Sequence, residues 1–192
     1  EKEFMGRGVA TCAVCDAPFY QDKIAVVIGG GDAACEDSLA LTKFAKQVHL
    51  VVRREALRAS KIMAERVINH PKIKIFWNTQ VKQILGDTKV SSVELTNGEK
   101  LVTNGVFLAI GHRPATGIFA GQLQVDKKGF IVTEMMGKNS DWLGGFPTMT
   151  SIPGVFAAGD CVDHRYKQAV TSAGMGCMAA LDAEKWLEKN NY

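Results

Sequence analysis

Two cysteines near the start of the sequence are separated by two residues, and a carboxylate follows the second. The segment is ATCAVCDAPFY, residues 10–20, which holds Cys12, Cys15 and Asp16. A pair with this spacing can ligate zinc, close a static disulfide or work as a redox-active dithiol. These three chemistries make different demands on the rest of the chain.

The rest of the chain favours the redox pair. A tetrahedral zinc site needs two further ligands, whereas the other cysteines and the histidines are scattered singly along the sequence. A static disulfide that closes so short a loop adds little stability. Neighbouring thiols exchange readily once one is a thiolate, and Asp16 is placed in the sequence to shuttle the proton.

A glycine-rich turn follows the cysteines. The segment GGGDAA, residues 29–34, fits Gly-x-Gly-x-x-Ala and lies between a β-branched apolar run and a stretch with helical spacing. In this pattern the first glycine turns the chain, the second lets the backbone approach a pyrophosphate, and the third small residue lets helix and strand pack closely. We predict a nucleotide site here; the alternative is a tight turn that binds nothing.

The residues after the second apolar run indicate which nucleotide binds. An NAD site usually has an acidic residue there for the ribose 2′-hydroxyl, but this chain has Arg53, Arg54 and, one helical turn later, Arg58. Guanidinium groups suit a 2′-phosphate, so NADPH is favoured over NADH. The alternative is a solvated charged corner in which Glu55 pairs with an arginine.

Strand and helix signals alternate along the chain, which predicts an α/β fold. Residues 23–53 read as a βαβ unit, 57–70 as a helix that stops before Pro71, and 73–87 as strand. Residues 88–103 surround Asn97-Gly98, a dipeptide typical of a type I′ hairpin turn, and predict an antiparallel insertion. A final strand follows at 105–111.

The C-terminal part is less regular at first. Residues 111–153 are rich in Gly, Pro and Thr, as a crossing between domains would be. A short buried strand is predicted at 151–160 and a long helix at 168–190. The three remaining cysteines stand among small apolar residues and are predicted to fill core positions: Cys35, Cys161 and Cys177.

Composition sets broad limits. The 192 residues are 46% hydrophobic, and 23 basic against 20 acidic side chains give a net charge of +3 without a basic tail, so we expect no nucleic-acid partner. No apolar run approaches the roughly 18 residues of a membrane span, and the first residues lack the apolar stretch of a signal peptide. We expect a cytoplasmic protein that does not bind membranes or metals.

Together the motifs resemble those of the low-molecular-weight, bacterial-type NADPH-dependent thioredoxin reductases. In chain order they are CAVCD, GGGDAACE, VVRREALRASK, FLAIGHRP and SIPGVFAAGDCVDHRYKQAVTSAGMGCMAALDAE. The resemblance implies that NADPH passes a hydride to FAD, that two electrons reach a Cys12–Cys15 disulfide, and that thioredoxin or a similar small redox protein receives them. It also implies a homodimer.

The resemblance also implies roles for single residues. Cys15 is expected to face the flavin, Cys12 to exchange with the protein substrate, and Asp16 to act as acid and base. The implied NADPH contacts are Gly29, Gly31, Asp32, Ala33, Ala34, Glu36, Arg53, Arg54, Arg58, Ile110 and Gly111. The implied FAD contacts are Gly159, Asp160, Lys167, Gln168 and Ala169.

Three residues depart from the family pattern. Val52 stands where the family usually has His before the two arginines, and Asp32 often corresponds to Asn. A carboxylate close to a pyrophosphate is mildly repulsive unless its geometry keeps it away. Lys167 replaces an Arg, and because a lysine lacks the planar fork, its flavin contact is expected to be weaker or differently tuned.

One expected motif is absent. Family members begin with a flavin-binding half that has its own glycine fingerprint, and this chain carries one such fingerprint, at 29–34. We therefore expect a fragment: a Rossmann-like, three-layer NADPH-binding domain with an antiparallel insertion at residues 1–118, and the C-terminal part of a Rossmann-like FAD domain at 119–192. As a fragment, the chain could instead be an NADPH-binding module without flavin or turnover.

Overall fold

The computed structural model describes residues 1–136 and 145–191. The chain divides into two compact units, Glu1–Gly111 and His112–Tyr192, and each has its own hydrophobic core. The boundary expected from the sequence, after residue 118, falls within the second unit.

The first unit is built on a five-stranded parallel sheet. Its strands, in chain order, are β1 (Val9–Ala10), β2 (Ile24–Ile28), β3 (Gln47–Val51), β4 (Ile73–Phe76) and β8 (Gly105–Leu108). Their spatial order is β1-β8-β2-β3-β4, and every neighbouring pair is parallel. The predicted α/β fold, including the βαβ unit and the final strand, is confirmed.

Helices cover one face of this sheet. They are α1 (Ala13–Asp16), α2 (Asp32–Leu41) and α3 (Lys61–Ile68). Because successive side chains of a strand point to opposite faces, Ala25 and Val27 of β2 pack with Leu41 on the helical side, whereas Val26 belongs to the core on the other side. Both faces are therefore buried, as in other parallel sheets.

A three-stranded antiparallel sheet forms the third layer. It contains β5 (Val81–Gly86), β6 (Val90–Leu95) and β7 (Lys100–Val102). Val93 of this insertion shares a core with Val26 of the parallel sheet. The segment predicted as strand at 73–87 is two strands in different sheets, and between them Asn78 has a left-handed φ of +52°.

The hairpin between β6 and β7 is present, but its predicted turn type is wrong. A type I′ turn needs positive φ at both central residues, and here Gly98 has a φ of +86° while Asn97 keeps a negative one. The Leu95 carbonyl accepts a hydrogen bond from the Gly98 N–H at 3.0 Å. The Asn97 side chain accepts one from the Glu99 N–H at 3.0 Å, a local bond that favours a longer loop.

In the second unit the predicted long helix is α4 (Ala169–Lys189), whereas the strand predicted at 151–160 is wrong. Within the described part of this unit, that segment contributes one bridge, Met149 with Phe156, and a short 3₁₀ helix, Gly159–Cys161. A strand needs a hydrogen-bonded neighbour along its length, and the segment pairs at a single point. No described helix is both long and apolar enough to cross a membrane.

The three remaining cysteines differ in burial. Cys35 is fully buried in the core beneath α2, as predicted, and burial raises the pKa of its thiol to about 11. Cys161 is only half-buried. Cys177 is exposed, so its prediction as a core residue is wrong: it lies on α4, which has no buried residue in this structure.

Candidate active site

The Cys-x-x-Cys pair lies where the first strand meets the first helix. Cys12 and Cys15 are joined by a disulfide with an S–S distance of 2.04 Å and a Cα–Cα distance of 5.3 Å. Cys12 is the N-terminal cap of α1, and its sulfur accepts a hydrogen bond from the Cys15 N–H at 3.1 Å. Cys12 is half-buried and Cys15 is exposed. Each sulfur thus has a distinct environment.

Asp16, the proposed acid and base, is the last residue of α1 and is half-buried. Burial, and to a smaller extent the charge of Asp16, raises the pKa of Tyr20. The Tyr20 ring packs edge-on against Phe107 with ring centroids 5.0 Å apart. The 3₁₀ helix Ala17–Tyr20, which directly follows the disulfide-bearing helix, is thereby anchored to the core of the parallel sheet.

A second carboxylate near α1 was missed in the sequence analysis. Asp37 lies on α2, and burial raises its pKa to about 6, while hydrogen bonding from the Ala13 backbone N–H acts in the opposite direction and the charge of Glu36 adds to the rise. Ala13 is the first residue of α1. In the sequence, Asp37 could have been recognised as an acidic residue next to the buried stripe of α2 that contains Ala34 and Leu41.

The glycine turn joins β2 to α2. Gly29 has a φ of +154°, and a Cβ placed on it would lie 2.4 Å from the Ala109 carbonyl oxygen and 2.8 Å from the Ala34 Cβ. A Cβ on Gly31 would meet no protein atom within 4 Å. Gly29 therefore allows the close packing of strand and helix, and Gly31 leaves open space at the helix N-terminus, where unpaired N–H groups attract anions.

A cavity of about 930 Å³ opens in front of this turn. It is lined by the ends of β2, β3 and β8 and by residues of β5. Nine of the predicted NADPH contacts line it: Gly29, Gly31, Asp32, Ala33, Arg53, Arg54, Arg58, Ile110 and Gly111. Ala34 is fully buried behind the turn, and Glu36 is exposed outside the cavity lining, so these two predicted residues are not brought to it.

The three arginines on the cavity wall are exposed. The ion pairs of the described residues are Lys82 with Glu94 and His164 with Asp126, so Glu55 pairs with none of the three. The Arg58 backbone N–H donates a hydrogen bond of 2.6 Å to the Gly30 carbonyl. The guanidinium groups of the three arginines are thus available to an anionic ligand.

The residues predicted to contact FAD lie together before and at the start of α4 in the second unit. Asp160 accepts a hydrogen bond of 3.2 Å from the Ser172 hydroxyl. Lys167 has a left-handed φ of +51°, and its Nζ lies 5.2 Å from the centre of the Phe130 ring. Gln168 caps α4 through a reciprocal capping box, which places Ala169 at the first helical position.

A buried carboxylate that the sequence analysis did not single out holds this segment. Asp163 accepts hydrogen bonds of 2.8, 2.8 and 2.7 Å from the backbone N–H groups of Arg165, Tyr166 and Lys167. Burial of Asp163 acts to raise its pKa, but these bonds outweigh burial and the pKa is lowered. The ionised carboxylate therefore fixes the backbone that leads into α4.

Known proteins match the chain over almost all of its length. The family description "Pyridine nucleotide-disulphide oxidoreductase" matches residues 1–176. Thioredoxin reductase of Debaryomyces hansenii is 47% identical over 197 residues, which cover 98% of this chain and 58% of that protein. The resemblance to thioredoxin reductases indicated by the motifs is confirmed, and the chain spans little more than half of the relative's length, as expected.

Two solved structures share the fold. Thioredoxin reductase from Giardia duodenalis is 42% identical with a TM-score of 0.80, over 98% of this chain and 60% of that one. The enzyme from Streptococcus pyogenes is 37% identical with a TM-score of 0.81, over 95% of this chain and 58% of that one. With the family match over residues 1–176, these findings establish that the chain belongs to the pyridine nucleotide-disulphide oxidoreductases.

Proposed function

We propose that this chain is the NADPH-binding and disulfide-bearing part of a thioredoxin reductase. In the complete enzyme, NADPH would reduce bound FAD, two electrons would pass to the Cys12–Cys15 disulfide, and the resulting dithiol would reduce the disulfide of a thioredoxin-like protein. The observation that carries the proposal is that one compact unit, Glu1–Gly111, contains both the disulfide and the arginine-lined cavity.

The cavity fits NADPH in shape and charge. The open space at Gly31 lets the pyrophosphate approach the N-terminus of α2, where its charge is stabilised by backbone N–H groups. Arg53, Arg54 and Arg58 supply planar donors for the 2′-phosphate. Ile110 and Gly111, after β8, line the same cavity and would border the path of the bound nucleotide.

We assign the disulfide to exchange with a protein. Two electrons and two protons convert it to a dithiol, and attack of one thiolate on the disulfide of the acceptor then forms a mixed disulfide that the other thiol resolves. The Cys15 N–H, 3.1 Å from the Cys12 sulfur, would stabilise a Cys12 thiolate. We assign Asp16 to proton transfer at these sulfurs.

Bound FAD would supply the redox chemistry that links hydride transfer from NADPH to two-electron reduction of the disulfide. The segment around Asp160 and the start of α4 would hold it, with Asp160 on a hydroxyl of the ribityl or phosphate portion and Lys167, Gln168 and Ala169 at the ring. Asp163 supports this assignment because it fixes the backbone of Lys167. The lysine at 167 offers a single point donor where the family has a planar fork.

Alkylation of the sulfurs tests the proposal. The complete enzyme containing this chain, incubated with NADPH without oxygen and then treated with a maleimide, should show labelled Cys12 and Cys15 by mass spectrometry. NADH at the same concentration should give far less label. Two sulfurs that stay unlabelled although NADPH has bleached the flavin absorbance near 450 nm would contradict the proposed electron path.

A second candidate is an NADPH-binding module without turnover. It is favoured by one observation: the described residues that line the nucleotide cavity all belong to Glu1–Gly111. A purified 192-residue chain that is colourless but binds NADPH would support the module. A yellow chain that bleaches on addition of NADPH would support the complete redox function.

Assembly and location complete the proposal. The family resemblance implies a homodimer, which sedimentation of the complete enzyme would test. A location in the cytoplasm suits a disulfide that is repeatedly reduced by NADPH, and fractionation of cells would test this location. The acceptor is expected to be thioredoxin or a protein with the same exposed redox disulfide.

A further inference from the structure

Two loops of the nucleotide cavity are tied to each other by hydrogen bonds. One is the glycine turn at residues 29–31, and the other is the segment 53–60 that carries the three arginines, here named the arginine loop. Asp32, the first residue of α2, accepts a hydrogen bond from the Ser60 backbone N–H at 2.8 Å through its Oδ1. The Arg58 N–H donates to the Gly30 carbonyl at 2.6 Å.

The position of Ser60 makes the first of these bonds important for the loop. Ser60 is the N-terminal cap residue of α3, and its own side chain makes no capping hydrogen bond. The Asp32 carboxylate therefore fixes the end of the arginine loop from outside the loop. A carboxylate that accepts a backbone N–H forms a charge-assisted bond, which is stronger than one between neutral groups.

The same bond bears on the repulsion that is expected between the Asp32 carboxylate and a bound pyrophosphate. Asp32 lines the cavity, as do the arginines, yet no ion pair joins it to them among the described residues. One of its oxygens is already engaged by Ser60. The arginines and the N-terminus of α2 remain as the groups in the cavity that attract an anionic ligand.

We propose that Asp32 is a positioning residue for nucleotide selectivity: through Ser60 it holds the arginine loop so that the arginines reach a 2′-phosphate. This deepens the proposed function and rests on it. The hydrogen bond between Asp32 and Ser60 acts on the 2′-phosphate end of the ligand, because it holds the arginine loop. The glycine turn binds the pyrophosphate, which NADPH and NADH share. Loss of the bond should reduce the affinity for NADPH much more than the affinity for NADH.

Calorimetric titration of the 192-residue chain with NADPH and with NADH tests this inference. Asp32→Ala removes the acceptor, and Ser60→Pro removes the donor at a residue whose φ of −55° suits proline. Each variant should lower the ratio of NADPH to NADH affinity by about tenfold. The double variant should lower it no further, because both substitutions break one bond.

Conservative and control variants separate selectivity from folding. Asp32→Asn keeps an oxygen that accepts from Ser60 but loses the charge, so its ratio should fall between those of Asp32→Ala and wild type. Glu65→Ala removes an exposed carboxylate from α3 outside the cavity lining and should retain the wild-type ratio. If Asp32→Ala fails to fold, Ser60→Pro decides the question, with its thermal unfolding as the check on integrity.

Two different failures can be told apart. If the wild-type chain binds NADPH no better than NADH, the proposed nucleotide function fails and the inference fails with it. If the wild-type chain prefers NADPH but Ser60→Pro leaves the affinity ratio unchanged, the proposed function stands and the role of Asp32 is overturned. The same conclusion follows if Ser60→Pro lowers the affinities for both nucleotides equally, whether or not Asp32→Ala can be measured.

Discussion

At the scale of single residues, the two outer glycines of the turn have different jobs. Gly29 is required by the protein itself, because a side chain there would collide with the Ala109 carbonyl. Gly31 faces open space and has a φ of −99°, which any residue can adopt. The fold needs Gly29, whereas the proposed role of Gly31 is to leave space for the ligand.

Alanine substitutions should separate these two roles. Gly29→Ala is expected to destabilise the chain by more than about 2 kcal/mol, since strain and collision add. Gly31→Ala should stay within about 0.5 kcal/mol of wild-type stability and yet bind NADPH about tenfold more weakly, because its methyl group occupies the space of the pyrophosphate. Denaturant unfolding and nucleotide titration measure both. A Gly31→Ala chain that binds normally would count against the proposed position of the pyrophosphate.

The raised pKa of Asp37 predicts a pH-dependent stability. Its folded pKa of about 6 lies above the ordinary 3.8, so the folded state favours the protonated form and loses stability as pH rises between these values. Asp37→Asn, which keeps an acceptor for the Ala13 N–H, should be more stable than wild type by about 1 kcal/mol at pH 8, a figure reduced for partial exposure. The advantage should shrink to near zero at about pH 3, below both pKa values, where Asp37 is largely protonated in both states.

Thermal unfolding of both chains from about pH 3 to pH 8 checks this prediction. Asp87→Asn, at an exposed position, is the matched control and should show no such trend. A wild-type chain at least as stable as Asp37→Asn at pH 8 would disprove the unfavourable burial of this carboxylate.

The sequence could identify residues that act through local pattern but not those that act through distant contacts. The glycine turn and the arginines stood out because type and spacing suffice. The contact of Asp32 with Ser60 joins residues far apart in sequence, and that of Asp37 with α1 depends on how two helices pack. The packing role of the third small residue in the glycine motif implied that Ala34 is buried, and it is. Ala34 was also expected to contact the nucleotide.

At the scale of elements, the antiparallel insertion stabilises the parallel sheet by covering its second face. The core between them contains Val26 and Val106 of the parallel sheet and Val93 and Leu95 of the insertion. The insertion is thus part of the fold of the nucleotide unit, and its strand β5 also lines the cavity.

A matched pair of substitutions tests this packing. Val93 is fully buried and Val102, in the same sheet, is 70% exposed. Val93→Ala should cost about 2 kcal/mol of unfolding free energy, from two lost methyl groups and the space they leave. Val102→Ala should change it by less than about 0.5 kcal/mol. Equal effects at the two positions would show that the insertion does not pack as described.

Elements were predictable where their signals were periodic and their partners were near in sequence. The βαβ unit, the hairpin and α4 met these conditions. The segment 151–160 has the composition of a strand, but composition does not supply the neighbour that a strand requires. The turn type was missed because the side chain of Asn97 bonds to Glu99.

At the scale of the whole molecule, the chain divides the proposed chemistry between its units. Glu1–Gly111 carries the disulfide and the nucleotide cavity, and His112–Tyr192 carries the residues assigned to flavin. The matched length, little more than half of the relatives, agrees with the single glycine fingerprint. The complete activity therefore has to be measured in the complete enzyme.

The most direct test is NADPH-dependent reduction of thioredoxin by the complete enzyme and by three serine variants. Cys12→Ser and Cys15→Ser should each lower turnover at least about 1,000-fold, while NADPH still bleaches the flavin. Cys177→Ser, at an exposed cysteine outside the disulfide, should leave turnover unchanged. Thioredoxin reduction at the wild-type rate by either Cys12→Ser or Cys15→Ser would contradict the account.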